Sequence, residues 1–269
     1  MSNTFAFTKM HGAGNDFVLI DDREERFPVD NHRSIASLAN RHDGIGCDGV
    51  IIVRKPSGAA ADFRMRFFNP DGTEADLCGN GARCVASFAL AKGIAKAPAM
   101  RFETSAGDID AEVCPDGSVK IAMPQPHDFG DDFVVAGVPH RIVPVENLAK
   151  TDVVAEGRAI RLDAQYAPDG TNVDFAVYRA PSRVHLRTYE RGVEGETLAC
   201  GTGAVAAAVI GVKDYGLEFP VKVSTAAGYE LTIDGVFDGE AFSSIVLAGP
   251  VKTVFEGMFD FDGISAVAE

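Results

Sequence analysis

Two stretches of the chain hold residue types that can do chemistry. Leu77-Cys78-Gly79-Asn80-Gly81-Ala82-Arg83-Cys84 and Ala199-Cys200-Gly201-Thr202-Gly203-Ala204 each place a cysteine before a Gly-polar-Gly turn and a helix-forming run, 122 positions apart (200 − 78). A thiol at a helix start sits among backbone N–H groups that have no intrahelical partner. Such groups favour the thiolate and draw a thiol pKa toward neutrality. They also form a cradle for a carboxylate, and Gly79, Gly81, Gly201 and Gly203 let a ligand approach the backbone closely. One such element alone reads as an ordinary helix start with a buried, inert cysteine. Two in the same order point to function.

Paired thiols suit one reaction class. Inverting a stereocentre beside a carboxylate requires a proton to leave one face and another to arrive on the opposite face. Two thiols, one per face, do this without moving the substrate and without a cofactor. Carbanion character would build beside the carboxylate, where the helix starts stabilise it. A redox dithiol would instead be expected as C-x-x-C. The run Gly201-Thr-Gly-Ala-Val-Ala206 matches a dinucleotide fingerprint in letters. The strand-like run 184–189 is cut off from it by an acidic loop, 190–197, and no βαβ alternation surrounds it.

The elements that must position these groups also repeat. Thr104-Ser-Ala-Gly107 recurs as Thr225-Ala-Ala-Gly228, Cys47-Asp-Gly-Val-Ile-Ile-Val53 resembles Asn172-Val-Asp-Phe-Ala-Val-Tyr178, and His11 is matched with His140. Self-similarity at so long a period implies two related lobes and not a solenoid. Strands are expected at 63–69, 119–123, 184–189, 221–223 and 244–248, where apolar, β-branched and aromatic residues lie between Gly, Pro and Asp turns. Helices are expected at 34–42, 82–92 and 204–213, with a weaker one at 152–158. Many strands around one good helix per lobe make the fold α+β, each helix wrapped by its own sheet. The Pro/Gly stretch Pro124-Gln-Pro-His-Asp-Phe-Gly130 sets the expected division at 1–126 and 127–269, leaving room for the last residues to return to the first lobe.

At 269 residues the chain can build an ample core. Its net charge of −14 argues against nucleic acid or an anionic membrane as partner. No signal peptide or bilayer-spanning run is read in it. Five scattered cysteines, an odd number with no C-x-x-C, fit reduced thiols in a cytoplasm better than disulfides or structural zinc, so no metal is expected. A homodimer is left open.

The chain resembles the diaminopimelate epimerase family. The resemblance runs through Met10-His-Gly-Ala-Gly-Asn-Asp-Phe17, the segment from Asn69 to Cys84, Thr104–Gly107, Pro139-His140, Asn172-Val-Asp-Phe175, Tyr189-Glu-Arg-Gly192 and Glu196–Gly203. It implies two similar lobes, each a barrel-like sheet around a central helix, with the active site in the cleft between them. It implies cofactor-independent interconversion of LL- and meso-diaminopimelate on the route to lysine and peptidoglycan, with Cys78 and Cys200 as catalytic thiols. Gly79, Asn80, Gly201 and Thr202 would then hold the reacting carboxylate. Asn15, Asn69, Asn172, Glu190 and Arg191 would contact the substrate, and His140 and Glu190 would adjust the thiols. Three positions depart from the commoner pattern: Val138 stands where many members have Asn, Gly49 where some have a longer polar side chain, and the loop Gly192-Val-Glu-Gly195 is one residue longer than its shortest form. A racemase of another amino acid on the same fold is the alternative reading.

Overall fold

Long apolar runs such as Phe17-Val-Leu-Ile20 and Val50-Ile-Ile-Val53 are what strands buried on both faces require. In the computed structural model, which describes residues 4–261, they lie at the centre of a sheet. The described residues form two compact units. One comprises the chain up to Ile121 with the strand after Pro250; the other is Ala122–Pro250.

In the first unit, β1 (Thr4–Gly12) and β2 (Asn15–Asp21) form an antiparallel hairpin. Its two turn residues, Ala13 (φ 52°) and Gly14 (φ 99°), are both left-handed, as a turn matched to strand twist demands. Helix α1 (His32–Ala39) crosses to β3 (Gly49–Arg54), parallel to β2. Antiparallel β4 (Phe63–Phe68) and the short β5 (Glu74–Ala75) lead into α2 (Gly79–Ala91). Then come β6 (Ala99–Thr104), parallel to β4, followed by β7 (Gly107–Val113) and β8 (Val119–Ala122).

The second unit repeats this order. After β9 (His127–Gly130) come β10 (Phe133–Ala136), β11 (Val138–Pro144), α3 (Val153–Arg161), β12 (Asn172–Arg179) and β13 (Arg183–Glu190). They are followed by β14 (Gly195–Thr197), α4 (Gly201–Asp214), β15 (Val221–Ser224), β16 (Glu230–Phe237) and β17 (Phe242–Gly249). The pairings match those of the first unit: β11 is parallel to β12, β12 antiparallel to β13, and β13 parallel to β15. Strand β18 (Val251–Asp260) pairs antiparallel with β1, just as β9 pairs with β10.

Each unit encloses one helix. Helix α2 packs on β1, β2, β3, β7 and β18, and α4 packs on strands from β10 to β17. Both are buried almost all round, as their Ala/Val/Gly-rich sequences require. The outer helices cover the other side of the sheets. Ile35 and Leu38 of α1 join Val18, Ile20, Val50 and Ile52, while Val153 of α3 meets Val173, Phe175 and Tyr189.

Three expectations are corrected. The central helices begin at Gly79 and Gly201, three residues earlier than their alanines suggested, because the Gly-polar-Gly segments are the first helical turn and not a loop before it. The segment 190–197 is not all loop, since 195–197 return as β14 alongside β13. His11 is not the counterpart of His140: His11 lies on β1, whereas the parallel registers Phe17↔Gly49 and His140↔Asn172 match His140 with Phe17 and Asn172 with Gly49. The segment 153–161 is a full helix, its start capped by the Asp152 carboxylate accepting the Ala155 N–H at 3.1 Å.

Candidate functional site

The two thiols occupy the same local geometry. Cys78 is the residue before the first turn of α2, at φ −127° and ψ 115°; Cys200 holds that place before α4, at φ −115° and ψ 115°. Extended backbone at this position turns the side chain back toward free N–H groups. Cys200 Sγ accepts the Gly203 N–H at 3.4 Å and lies 3.4 Å from the Thr202 hydroxyl. Cys78 is half-buried, and Cys200 is buried.

In the first unit the β1–β2 hairpin brings Asn15 to the start of α2. Asn80 Nδ2 donates to Asn15 Oδ1, and Asn15 Nδ2 donates to Asp48 at 3.2 Å. The approach is close because Gly12 has no side chain: a Cβ there would lie 2.8 Å from the Asn80 carbonyl oxygen. Behind Asn15, Asp16 binds Lys9 at 2.7 Å and Arg41 at 2.6 Å, and Arg41 also reaches Asp48 at 2.8 Å. Arg41 and Lys9 hold the Asp16 carboxyl far below the usual carboxylate range, against the upward pull of burial. On the other side of Asn80 lies Arg83, fully buried, donating to Asn80 Oδ1 at 2.7 Å and to the Gly79 carbonyl at 3.2 Å. Asn69 bonds within its own turn, its backbone N–H to the Thr73 carbonyl at 2.8 Å and its side chain to the Thr73 hydroxyl at 3.2 Å.

In the second unit a buried polar chain replaces apolar core. Asp174 accepts from the Thr188 hydroxyl and from His140 Nδ1, each at 2.6 Å, with all three residues almost wholly buried. On the other side of the ring, Asn172 Nδ2 lies 3.4 Å from His140 Nε2. The other end of that amide, Oδ1, accepts the Arg191 backbone N–H at 2.7 Å, which sets the amide's orientation. His140, Asn172 and Arg191 are thereby joined in one network. Burial raises the Glu190 carboxyl, reinforced by the charge of Asp174 and opposed by Thr197 and His140.

The expectation of a lowered thiol pKa fails for Cys200. Burial pushes it well above the ordinary value, the negative charges of Glu190 and Asp174 push the same way, and the bonds from Thr202 and Gly203 only partly oppose them. These surroundings favour the neutral thiol at Cys200 over its thiolate.

Asp174 and Arg83 were not among the residues singled out by sequence. Asp174 could have been found: in the otherwise apolar strand β12 it falls two residues after Asn172, on the same face. Arg83 lies inside the first cysteine motif, where its burial had no sequence signal. Among the described residues no cluster of His, Cys, Asp and Glu is arranged to hold a metal ion, and no helix is long and apolar enough to cross a membrane.

The chain's similarity to known proteins is extensive. The family profile described as diaminopimelate epimerase matches residues 7–127 and 133–254. A protein of Aquifex aeolicus named diaminopimelate epimerase is 42% identical over 272 residues, covering 93% of this chain and 96% of its own. One of the same name from Chlorobaculum tepidum is 40% identical over 259 residues, covering 92% and 98%. Among solved structures, a probable proline racemase from Agrobacterium radiobacter K84 superposes with a TM-score of 0.73 at 18% identity, covering 98% of this chain and 95% of that one, which shows a shared fold.

Proposed function

This chain belongs to the diaminopimelate epimerase family and is an isomerase, and from that premise we propose that it inverts the α-carbon of LL-diaminopimelate to give the meso isomer. The observation that supports the reading best is the matched pair Cys78 and Cys200, each at the head of its unit's central helix with nearly the same backbone angles. In the proposed reaction one thiolate removes the α-proton while the other thiol delivers a proton to the opposite face. The substrate's reacting carboxylate lies on the helix starts, held by Gly79, Asn80, Gly201 and Thr202 and their free N–H groups. Those N–H groups stabilise the negative charge that develops at the α-carbon and its carboxylate. His140 and Glu190 adjust the thiols, Glu190 through its charge beside Cys200. Asn15, Asn69, Asn172, Glu190 and Arg191 contact the rest of the substrate. The chemistry calls for no cofactor. In this reading the product feeds lysine and peptidoglycan precursor synthesis and the enzyme works in the cytoplasm.

One observation favours a second reading, inversion of a different amino acid: Val138 occupies a position where many family members carry a substrate-contacting Asn. Comparing kcat/KM on LL-diaminopimelate with that on L-proline, L-alanine and L-histidine separates the two. The proposal expects diaminopimelate to be preferred by at least two decades. A preference for a monocarboxylate would overturn it.

A further inference from the structure

The two units share a scaffold, so the residues that differ between them show how the two thiols are treated. The registers give the correspondence. On one side Phe17 is opposite Gly49, Leu19 opposite Ile51, and Ile51 opposite Phe67. On the other His140 is opposite Asn172, Ile142 opposite Asp174, and Asp174 opposite Thr188. The helices agree independently: a Cβ on Gly81 would lie 3.0 Å from Ile51 Cδ1, and one on Gly203 would lie 2.4 Å from Asp174 Oδ1. The apolar trio Phe17, Ile51 and Phe67 beneath the Cys78 helix therefore becomes His140, Asp174 and Thr188 beneath the Cys200 helix. Five residues beyond each cysteine the contrast reverses, with Arg83 after Cys78 and Val205 after Cys200, both buried.

Arg83 is the odd member of this set. Its guanidinium is fully buried and, among the described residues, bonds only two uncharged oxygens, those of Gly79 and Asn80. Its Nε has no partner, and no carboxylate pairs with it among the described residues. An uncompensated buried cation is costly, so an anion belongs beside it. The ionisable groups that act on Arg83 are Cys78 and Cys84. Cys84 is completely buried, with its thiol pushed far up by burial, which leaves Cys78. Of the other charges around this helix start, Lys9, Asp16, Arg41 and Asp48 pair among themselves, and Asp76, two residues before Cys78, is exposed to solvent. Around Cys200 the charged groups are Glu190 and Asp174, with His140 bonded to the latter.

We infer that Arg83 and Asp174 break the symmetry of the thiol pair, holding Cys78 as the thiolate and Cys200 as the thiol in the unliganded enzyme. Both act as positioning residues through charge. The inference rests on the two-thiol reading, and it makes the first half-reaction one-directional: Cys78 sulfur accepts the α-proton, Cys200 gives up its own, and the pair leaves the turnover with its protonation reversed. One stereoisomer meets the resting pair, and the other requires the minor protonation state.

The test is the pH dependence of alkylation by iodoacetamide, read separately at Cys78 and Cys200 by peptide mass mapping of the folded, full-length enzyme. Midpoints are compared rather than absolute rates, because the two thiols differ in exposure. In the wild type Cys78 should have a midpoint at least one pH unit below that of Cys200. Arg83→Met should raise the Cys78 midpoint by a unit or more, a tenfold loss of thiolate at fixed pH below the midpoints, and leave Cys200 unmoved. Arg83→Lys should restore most of the shift. Asp174→Asn should lower the Cys200 midpoint and leave that of Cys78 in place. A wild-type Cys200 midpoint at or below that of Cys78 overturns the inference, and this outcome needs no variant to fold. So does a folded Arg83→Met enzyme with an unshifted Cys78. Failure of the two-thiol reading is a different result, seen as full turnover after removal of a thiol.

Discussion

Arg191 shows how one side chain would set substrate choice. Its backbone N–H is committed to Asn172, and its half-buried side chain carries the fork that grips a carboxylate through two parallel bonds. Diaminopimelate has a second carboxylate far from the reacting carbon, and a small monocarboxylate does not. Removing one partner of a desolvated charge pair costs about 3–5 kcal/mol. Arg191→Ala should therefore lower kcat/KM for diaminopimelate by roughly two to four decades, and Arg191→Lys should recover only part, since an ammonium cannot form the fork. An Arg191 that served only as a surface charge would change kcat/KM by no more than about fivefold. Steady-state kinetics of the three enzymes on diaminopimelate decides it. At this scale the two cysteine elements stood out because their residue types and neighbours are distinctive, and each lies at the head of its unit's central helix. Asp174 and Arg83 did not. A single carboxylate in a strand, or a single Arg in a helix, shows its weight only when burial removes the water that would otherwise screen it.

At the scale of elements, small residues and one charge cluster hold the helix starts in place. A Cβ at Gly12 would press on the Asn80 carbonyl, and one at Gly203 on Asp174, whereas a Cβ at Gly58 would meet nothing within 4 Å. Gly12→Ala and Gly203→Ala should each lower stability by about 1–3 kcal/mol through overpacking and reduce turnover, with Gly58→Ala close to wild type in both. Urea unfolding and activity assays on the three variants check this. The cluster of Lys9, Asp16 and Arg41 carries a pH dependence. The folded pKa of Asp16 lies below its unfolded value, so its pairing with Lys9 and Arg41 contributes stability above the ordinary carboxylate range, and that stability is lost as pH falls toward the folded value. Asp16→Asn leaves Lys9 buried without its carboxylate and should cost about 3 kcal/mol at pH 7, the lower end for breaking a buried pair. Between pH 5 and pH 2 the variant should lose less stability than the wild type, as measured by urea midpoints. The helices were legible within a few residues from their apolar runs. Their true starts were hidden because glycine signals a loop by propensity, whereas here it serves close packing at Gly81 and Gly203.

For the whole molecule, the repeat read from a handful of short matches corresponds to a complete duplication of strand order, crossover helix and central helix. The sequence carries so little of it because burial constrains only polarity and size at most positions, and the two units diverged where chemistry does: Phe17 against His140, Ile51 against Asp174, Arg83 against Val205. The same near-symmetry underlies the proposal that two thiols share one inversion. The most direct test is turnover of LL-diaminopimelate in deuterated water at low conversion, with the wild type, Cys78→Ala and Cys200→Ala compared. Two-thiol inversion predicts one deuterium at the inverted α-carbon of the product, none in the recovered substrate, and loss of inversion in each single variant, with no further loss in the double variant. Rapid deuteration of recovered substrate by the wild type, or near wild-type inversion by either single variant, would contradict it.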